Sequence, residues 1–277
     1  MWTDLDRPPL RQAALRRALV APAGPYAGLD VVRTVPSTNT ALVDAARQGA
    51  PDRTVLVAEH QSQGRGRAGR SWAAPPRSGL VVSVLLRPAD VPPSRWSWLP
   101  LLAGVALCKV ITTMAELPVA LKWPNDLLLG SYQRKVAGIL VELVPEQSAV
   151  VIGTGLNVTV RPDELPVPTA TSLAIENATC TDRDPLLRAV LRTLDGELRQ
   201  WCEYEGDPVA SGLHEAYRQR CATVGEQIRV QLPGRTELTG TAVDIDTAGR
   251  LVVRSGDQRR AVAAGDVTHV RVIQCQP

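Results

Sequence analysis

Between Gly64 and Arg70 the chain reads Gly-Arg-Gly-Arg-Ala-Gly-Arg, three glycines interleaved with Arg65, Arg67 and Arg70. Glycine lets the backbone lie flat against a ligand and guanidinium groups grip oxyanions, so the stretch suits a carboxylate and a phosphate. Taken alone it also fits an RNA contact or a solvated loop. Lys122-Trp-Pro-Asn-Asp126 reads as a strand end that turns at Pro124, presenting an amide and a carboxylate where a nucleotide or its Mg²⁺ could be held. An ordinary Asn-Asp turn beside a buried Trp explains it equally well. In Arg134-Lys-Val-Ala-Gly-Ile-Leu140 a lysine opens an apolar strand, so Lys135 can aim its ammonium into a cleft at the sheet edge or simply reach solvent. Ser37-Thr-Asn39 offers short polar groups at a helix start, and Gly153-Thr-Gly-Leu-Asn157 offers glycines at a strand end. Helix capping and close strand packing account for both without a ligand.

Such groups need a sheet to hold them, and the chain supplies alternating strand-like and helix-like segments from Asp30 onward. The pattern predicts strands over Val31–Val35, Thr54–Ala58, Leu80–Leu86, Val119–Trp123, Leu127–Leu129, Val136–Val144 and Ala149–Gly155. It predicts helices from Ser37 or Thr38 to Gly49, from about Trp96 to Leu117, over Asp184–Cys202 and over Val209–Arg220. A polar, Gly-rich loop from His60 to Ser78 lies between the second and third strands. Residues 1–29 hold one short helix around Leu10–Val20 and serve as a lead-in. From Gly225 the character changes to short alternating strands: Gln227–Leu232, Thr239–Ile245, Leu251–Arg254, Arg259–Ala263 and His269–Ile273, with turns at Pro233-Gly, Ala248-Gly and Gly256-Asp. The expected organisation is therefore a lead-in over 1–29, a catalytic domain over 30–223 and a small barrel over 224–277.

Composition narrows the function classes. With 277 residues, 44% of them hydrophobic, the chain can bury one large core and a small appendage. A net charge of +3, with its basic residues dispersed outside one cluster, does not make the broad positive field of a nucleic-acid protein. Five cysteines without CxxC spacing read as reduced, inert thiols. Three histidines, none paired at ligand spacing, give no metal site, and no metal ligand is assigned. The first residues lack a signal peptide, and no stretch is expected to approach the roughly 18 apolar residues of a membrane span, which places the protein in the cytoplasm with no membrane partner.

Taken in order, Ser37-Thr-Asn39, Glu59-His-Gln61, Gly64-Arg-Gly-Arg67 through Gly69-Arg-Ser-Trp72, Lys122-Trp-Pro-Asn-Asp126, Arg134-Lys-Val-Ala-Gly-Ile-Leu140 and Gly153-Thr-Gly-Leu-Asn157 closely resemble biotin protein ligases. The resemblance spans residues 31–160 and extends weakly to the C-terminal barrel. It implies an α+β fold: a mixed sheet flanked by helices, of the class II synthetase-like kind, with a small C-terminal SH3-like β-barrel. It implies ATP-dependent activation of biotin to biotinoyl-5′-AMP with Mg²⁺, then transfer to a lysine on the biotin carboxyl carrier domain of acetyl- or propionyl-CoA carboxylase. By the same likeness Ser37, Thr38, Asn39 and Gln61 would hydrogen-bond the biotin head. Gly64, Arg65, Gly66 and Arg67 would fold over its carboxyl end, with Gly138 and Gly155 beside it. Lys135 corresponds to the essential lysine; Arg67, Arg70, Trp72, Lys122, Asn125 and Asn157 would lie near the nucleotide. The base of the transfer step is not identified, and Asp126 is a candidate. Ala68 stands where relatives often carry arginine, and motifs beginning by Ser37 leave no room for the DNA-reading domain of repressor-type members, so no DNA partner is expected.

Two alternatives share parts of this inventory. A lipoate or octanoate protein ligase performs a similar acyl transfer, although the Arg-rich loop paired with Lys-Trp-Pro-Asn-Asp favours biotin. A nucleic-acid module using the loop and the barrel would need a row of stacking rings, and aromatic residues make up only 4% of the chain, with no Phe.

Overall fold

A computed structural model describes residues 6–232, 236–263 and 266–269. The expected turn at Pro233-Gly234, the end of the expected last strand beyond His269, and Cys275 lie outside the described residues. The first helix, α1 (Gln12–Leu19), turns Leu15 and Leu19 into the main hydrophobic core. Strand β1 (Gly28–Val32) begins three residues before the expected Val31, because it pairs in parallel with all of β2 (Thr54–Ala58), from Gly28↔Thr54 to Val32↔Ala58. After Val32 the chain must turn to reach the next helix, and Val35 keeps only an isolated bridge to Gln61. Helix α2 (Thr38–Arg47) is capped by Ser37, whose Oγ accepts the Thr40 N–H at 3.3 Å, and the chain leaves it through Gly49 at φ 87°.

After β3 (Gly79–Leu86) the expected single helix from Trp96 is a composite: a 3₁₀ stretch over Pro93–Trp98, α3 (Leu99–Val110), and a π-helical turn over Ile111–Ala115. Contrary to the sequence expectation, Pro93–Ala115 is long and apolar enough to span a membrane, with mean hydropathy 1.6 over its best window. That window is 72% buried inside the fold, which is the environment of a core helix. Strands β4 (Val119–Lys122), β5 (Asp126–Leu129), β6 (Arg134–Val144) and β7 (Ala149–Asn157) complete a seven-stranded mixed sheet of order β1-β2-β3-β7-β6-β5-β4, antiparallel except for β1–β2. Helix α4 (Arg183–Glu203) matches its expected span. Helix α5 is only Leu213–Arg218, because the Asp207 carboxylate accepts the N–H groups of Val209 and Ala210 and fixes that stretch in turns before the left-handed Gly212.

Strand alternation divides the sheet into two faces. Leu80, Val82, Val84 and Leu86 of β3, with Val150, Ile152 and Leu156 of β7, join the main core with residues of α1, α3 and α4. Leu85 and Val151 instead form a small cluster with Leu42 and Ala46 of α2. Among the described residues α2 is the helix packed on that second face, and the cleft described below lies beside it.

The C-terminal sheet is antiparallel, of order β11-β10-β9-β8-β12, built from β8 (Gln227–Gln231), β9 (Glu237–Ile245), β10 (Leu251–Ser255), β11 (Gln258–Val262) and β12 (Asp266–His269). Its β9–β10 turn is pinned to the larger unit: Trp98 Nε1 donates to Thr247 O at 2.8 Å and Trp123 Nε1 to Gly249 O at 3.0 Å. The N-terminal segment is tied down as well. Buried Arg183 pairs with Glu59 at 2.6 Å, Glu59 also accepts the Leu10 N–H at 2.7 Å, and Arg7 pairs with Glu164 at 2.6 Å.

Candidate active site

The open face next to α2 holds a cleft of about 110 Å³. Its floor is Val81 of β3, Gly138 and Leu140 of β6, and Gly153 and Gly155 of β7, all facing that side by strand alternation. The glycines are required there. A Cβ at Gly155 would lie 2.5 Å from Cε2 of Trp72, one at Gly138 would lie 3.3 Å from the same ring, and one at Gly153 would overlap Asn39 Oδ1.

One end of the cleft is a buried polar network. The Thr38 N–H and hydroxyl reach Gln61 Oε1 at 2.8 and 3.0 Å. Ser83 Oγ lies 2.7 Å from Thr38 Oγ1 and 2.6 Å from Asn39 Oδ1, and Asn39 Nδ2 donates to Leu140 O at 3.1 Å and Glu142 Oε2 at 3.0 Å. These bonds fix the direction of each amide and hydroxyl, so the end is preorganised to exchange hydrogen bonds with a compact polar head. Ser37, Thr38, Asn39 and Gln61, expected from the sequence, all line it.

The other end is cationic. Residues 64–72 fold back on themselves, with Trp72 N–H donating to Gly64 O at 2.8 Å and Gly66 N–H to Arg70 O at 2.6 Å, and place Arg65, Gly66, Arg67, Arg70 and Trp72 along the wall. Arg67 donates to Asn125 Oδ1 at 3.2 Å, and Asn125 donates in turn to Ile139 O at 2.9 Å. Lys135 reaches the same place through a β-bulge. The register between β5 and β6 skips Val136, so Val136 and Ala137 both join the core while Lys135 turns to the face of Gly138. Its Nζ lies 2.6 Å from Asp126 Oδ1 and 5.7 Å from the Trp72 ring centroid. Lys135 therefore owes its direction to this bulge, where the sequence suggested simply the start of a strand.

Not every expected residue lines this cleft. Lys122, Asp126 and Asn157 face an adjoining groove of about 1240 Å³, which shares Arg70, Trp72 and Lys135 with the cleft and is walled by Tyr132, Thr169 and His269. Gly64 lines neither: a Cβ there would overlap Trp72 O, so only glycine fits the neck of the loop. Ser83 and Glu142 were missed, although each is a lone polar residue inside an apolar strand, which is the signal that could have found them. Glu59, the first residue of the Glu59-His-Gln61 motif, instead holds the N-terminal segment.

No group of three or more His, Cys, Asp or Glu among the described residues could hold a metal ion. The buried thiols offer no nucleophile: burial pushes Cys108 up to about 12 and raises Cys221, so both stay protonated at neutral pH. What remains is a cleft with a polar end for recognition and a cluster of Arg and Lys for anions, opening into a groove wide enough for a second reactant.

A polar end and a cationic end in one cleft suit the binding of an acid with a polar head, the kind of substrate an acyl-activating ligase takes. The chain belongs to the biotin/lipoate A/B protein ligase family, whose model matches residues 31–158, and residues 223–270 match the biotin protein ligase C terminal domain. It is 42% identical over 275 residues to the biotin–[acetyl-CoA-carboxylase] ligase of Mycobacterium tuberculosis, covering 97% of this chain and 100% of that one. It is 30% identical to the bifunctional ligase/repressor BirA of Bacillus subtilis, covering 83% of this chain and 70% of the relative. The biotin protein ligase from Aquifex aeolicus, solved in complex with biotin and ATP, superposes with a TM-score of 0.73 at 27% identity, covering 89% of this chain and all of that one.

Proposed function

We propose that this protein is a biotin protein ligase. It activates biotin with ATP to biotinoyl-5′-AMP and transfers the biotinoyl group to a lysine on the biotin carboxyl carrier domain of an acyl-CoA carboxylase. The observation that carries the reading is one cleft with two unlike ends: the polar set of Thr38, Asn39 and Gln61, backed by buried Ser83, and the cationic set of Arg65, Arg67 and Lys135. Biotin is a molecule of that kind, a ureido ring that gives and takes hydrogen bonds joined by an apolar arm to a carboxylate. The glycine floor lets Trp72 and Asn39 lie flat against the sheet, and the cleft they line would take the arm.

In the first step a biotin carboxylate oxygen attacks the α-phosphorus of ATP, the bond from that phosphorus to the bridging oxygen breaks, and pyrophosphate leaves. Lys135 and Arg67 stabilise the charge that gathers between the two anions. Lys135 exchanges its Asp126 partner for the substrates at that point. Arg70, Trp72, Lys122, Asn125 and Asn157 border the space for the nucleotide. Mg²⁺ would enter with the triphosphate, since this ion is held largely by substrate phosphates, and would neutralise phosphate charge there. In the second step the carrier lysine, deprotonated, attacks the mixed anhydride and AMP leaves; Asp126, at the junction of cleft and groove, is the candidate base. Acetyl- and propionyl-CoA carboxylases are the acceptors, the site of action is the cytoplasm, and no DNA or membrane partner belongs to this reading.

The test is to incubate the protein with ATP, Mg²⁺ and a biotin carboxyl carrier domain and to locate the product by mass spectrometry. Biotin on the single carrier lysine is expected. Lipoyl or octanoyl transfer in preference to biotin would move the protein to the other branch of its family.

A further inference from the structure

Glu142 lies outside the cleft, yet its carboxylate joins the two ends of the site. It projects from β6 towards α2, two residues beyond Leu140, with its side chain 21% exposed. One oxygen accepts from Asn39 Nδ2 at 3.0 Å and the other pairs with Arg65 at 2.9 Å. Arg65 also donates to Thr40 Oγ1 at 3.1 Å, one residue beyond Asn39 in α2. Asn39 in turn is held through its Oδ1 by Ser83, which contacts Thr38, which contacts Gln61. A continuous run of polar contacts thus leads from the Gly/Arg loop through Glu142 to the head-binding network.

We propose that Glu142 is a positioning residue that couples closure of the Gly/Arg loop to occupancy of the head pocket, and so sets how long the activated acyl-adenylate is retained. The inference rests on the reading of the cleft as a biotin and biotinoyl-adenylate site. A ligand head that orients the Asn39 amide also orients the Glu142 carboxylate, and the carboxylate then fixes Arg65 and the loop that carries Arg67 over the anionic centre. A glutamate in an apolar strand beside a buried amide is costly unless such partners exist, and those two partners account for it. The coupling matters because a mixed anhydride that escapes before the carrier arrives acylates other amines or hydrolyses.

The experiment follows the dissociation of chemically synthesised biotinoyl-adenylate from the wild type and from Glu142→Ala, Glu142→Gln, Arg65→Ala and the double variant Arg65→Ala/Glu142→Ala. Glu142→Ala is expected to speed release about fivefold, the scale of a partly exposed ion pair, and to make the loop more sensitive to trypsin. Glu142→Gln keeps an acceptor for Asn39 and loses the charge on Arg65, so its release rate falls between wild type and Glu142→Ala. In the Arg65→Ala background, Glu142→Ala is expected to add less than it does alone, because the contact with Asn39 is all that is left to lose. Unchanged release in both single Glu142 variants, or effects that add fully in the double variant, would overturn the coupling. A wild type that fails to bind biotinoyl-adenylate at all would instead refute the proposed function, so the two failures are distinguishable. Should Glu142→Ala unfold, Glu142→Gln still decides the question.

Discussion

Lys135 Nζ lies 2.6 Å from Asp126 Oδ1, across the two strands that a β-bulge throws out of register. The ammonium is thereby held by a carboxylate at the mouth of the cleft, where an incoming anion can replace that partner. Lys135→Ala removes this cation while Val136, Ala137 and Ile139 keep their core packing. Adenylation is expected to slow by about 10²- to 10³-fold with little change in thermal stability. Preformed biotinoyl-adenylate should partly restore transfer to the carrier. A folded variant that adenylates at the wild-type rate would remove Lys135 from the chemistry.

Trp72 packs on the glycine floor, and Gly155→Ala would press a methyl carbon to 2.5 Å from its ring. Overpacking of this kind costs about 1–3 kcal/mol. Displacement of the ring into the cleft it lines would take space from the ligand, so the KM for biotin is expected to rise roughly 10- to 100-fold, as that energy implies. Steady-state kinetics beside a melting curve separates this from general unfolding; an unchanged KM would mean the ring does not border the ligand.

The Glu59–Arg183 pair is buried on both sides, at 8% and 5% exposure, and ties α4 to the segment before α1. Among the described residues Arg183→Met leaves the buried carboxylate with the Leu10 N–H alone, and stability is expected to fall by about 3–5 kcal/mol. Urea unfolding measures it. A loss below about 1 kcal/mol would show that water or a rearranged N-terminal segment replaces the guanidinium.

Most of the fold was legible in the sequence because strand and helix periods differ. The pattern predicts Thr54–Ala58 to the residue, and Ser37 before α2 and Gly49 after it mark that helix's ends. The misreadings have local causes that periodicity does not see. Parallel pairing with β2 sets the span of β1, Asp207 shortens α5, and the bulge at Val136 decides which way Lys135 points. The site was legible as motifs, since Ser37, Thr38, Asn39, Gln61, Arg65, Arg67, Trp72, Asn125 and Lys135 share one cleft. Its division into cleft and groove, and the parts of Ser83 and Glu142, depend on strand neighbours that no linear pattern reveals.

Residues 64–72 are held by polar contacts and ion pairs with few apolar anchors, since only Trp72 among them is a large apolar side chain. Such a segment opens locally at low cost. Trypsin is expected to cut between Arg65 and Arg70 in the free protein, and biotin with ATP to suppress that cleavage. Equal cleavage in both conditions would mean the loop does not close over the adenylate.

The central claim is that the cleft activates biotin on its own, before any carrier is present. Biotin-dependent exchange of labelled pyrophosphate into ATP measures this step alone, run beside lipoate and octanoate and with Lys135→Ala as control. Exchange with biotin, little with the other two acids and a loss of about 10²-fold or more in the variant is the predicted result. Exchange that is absent with biotin, or stronger with lipoate or octanoate, would contradict it.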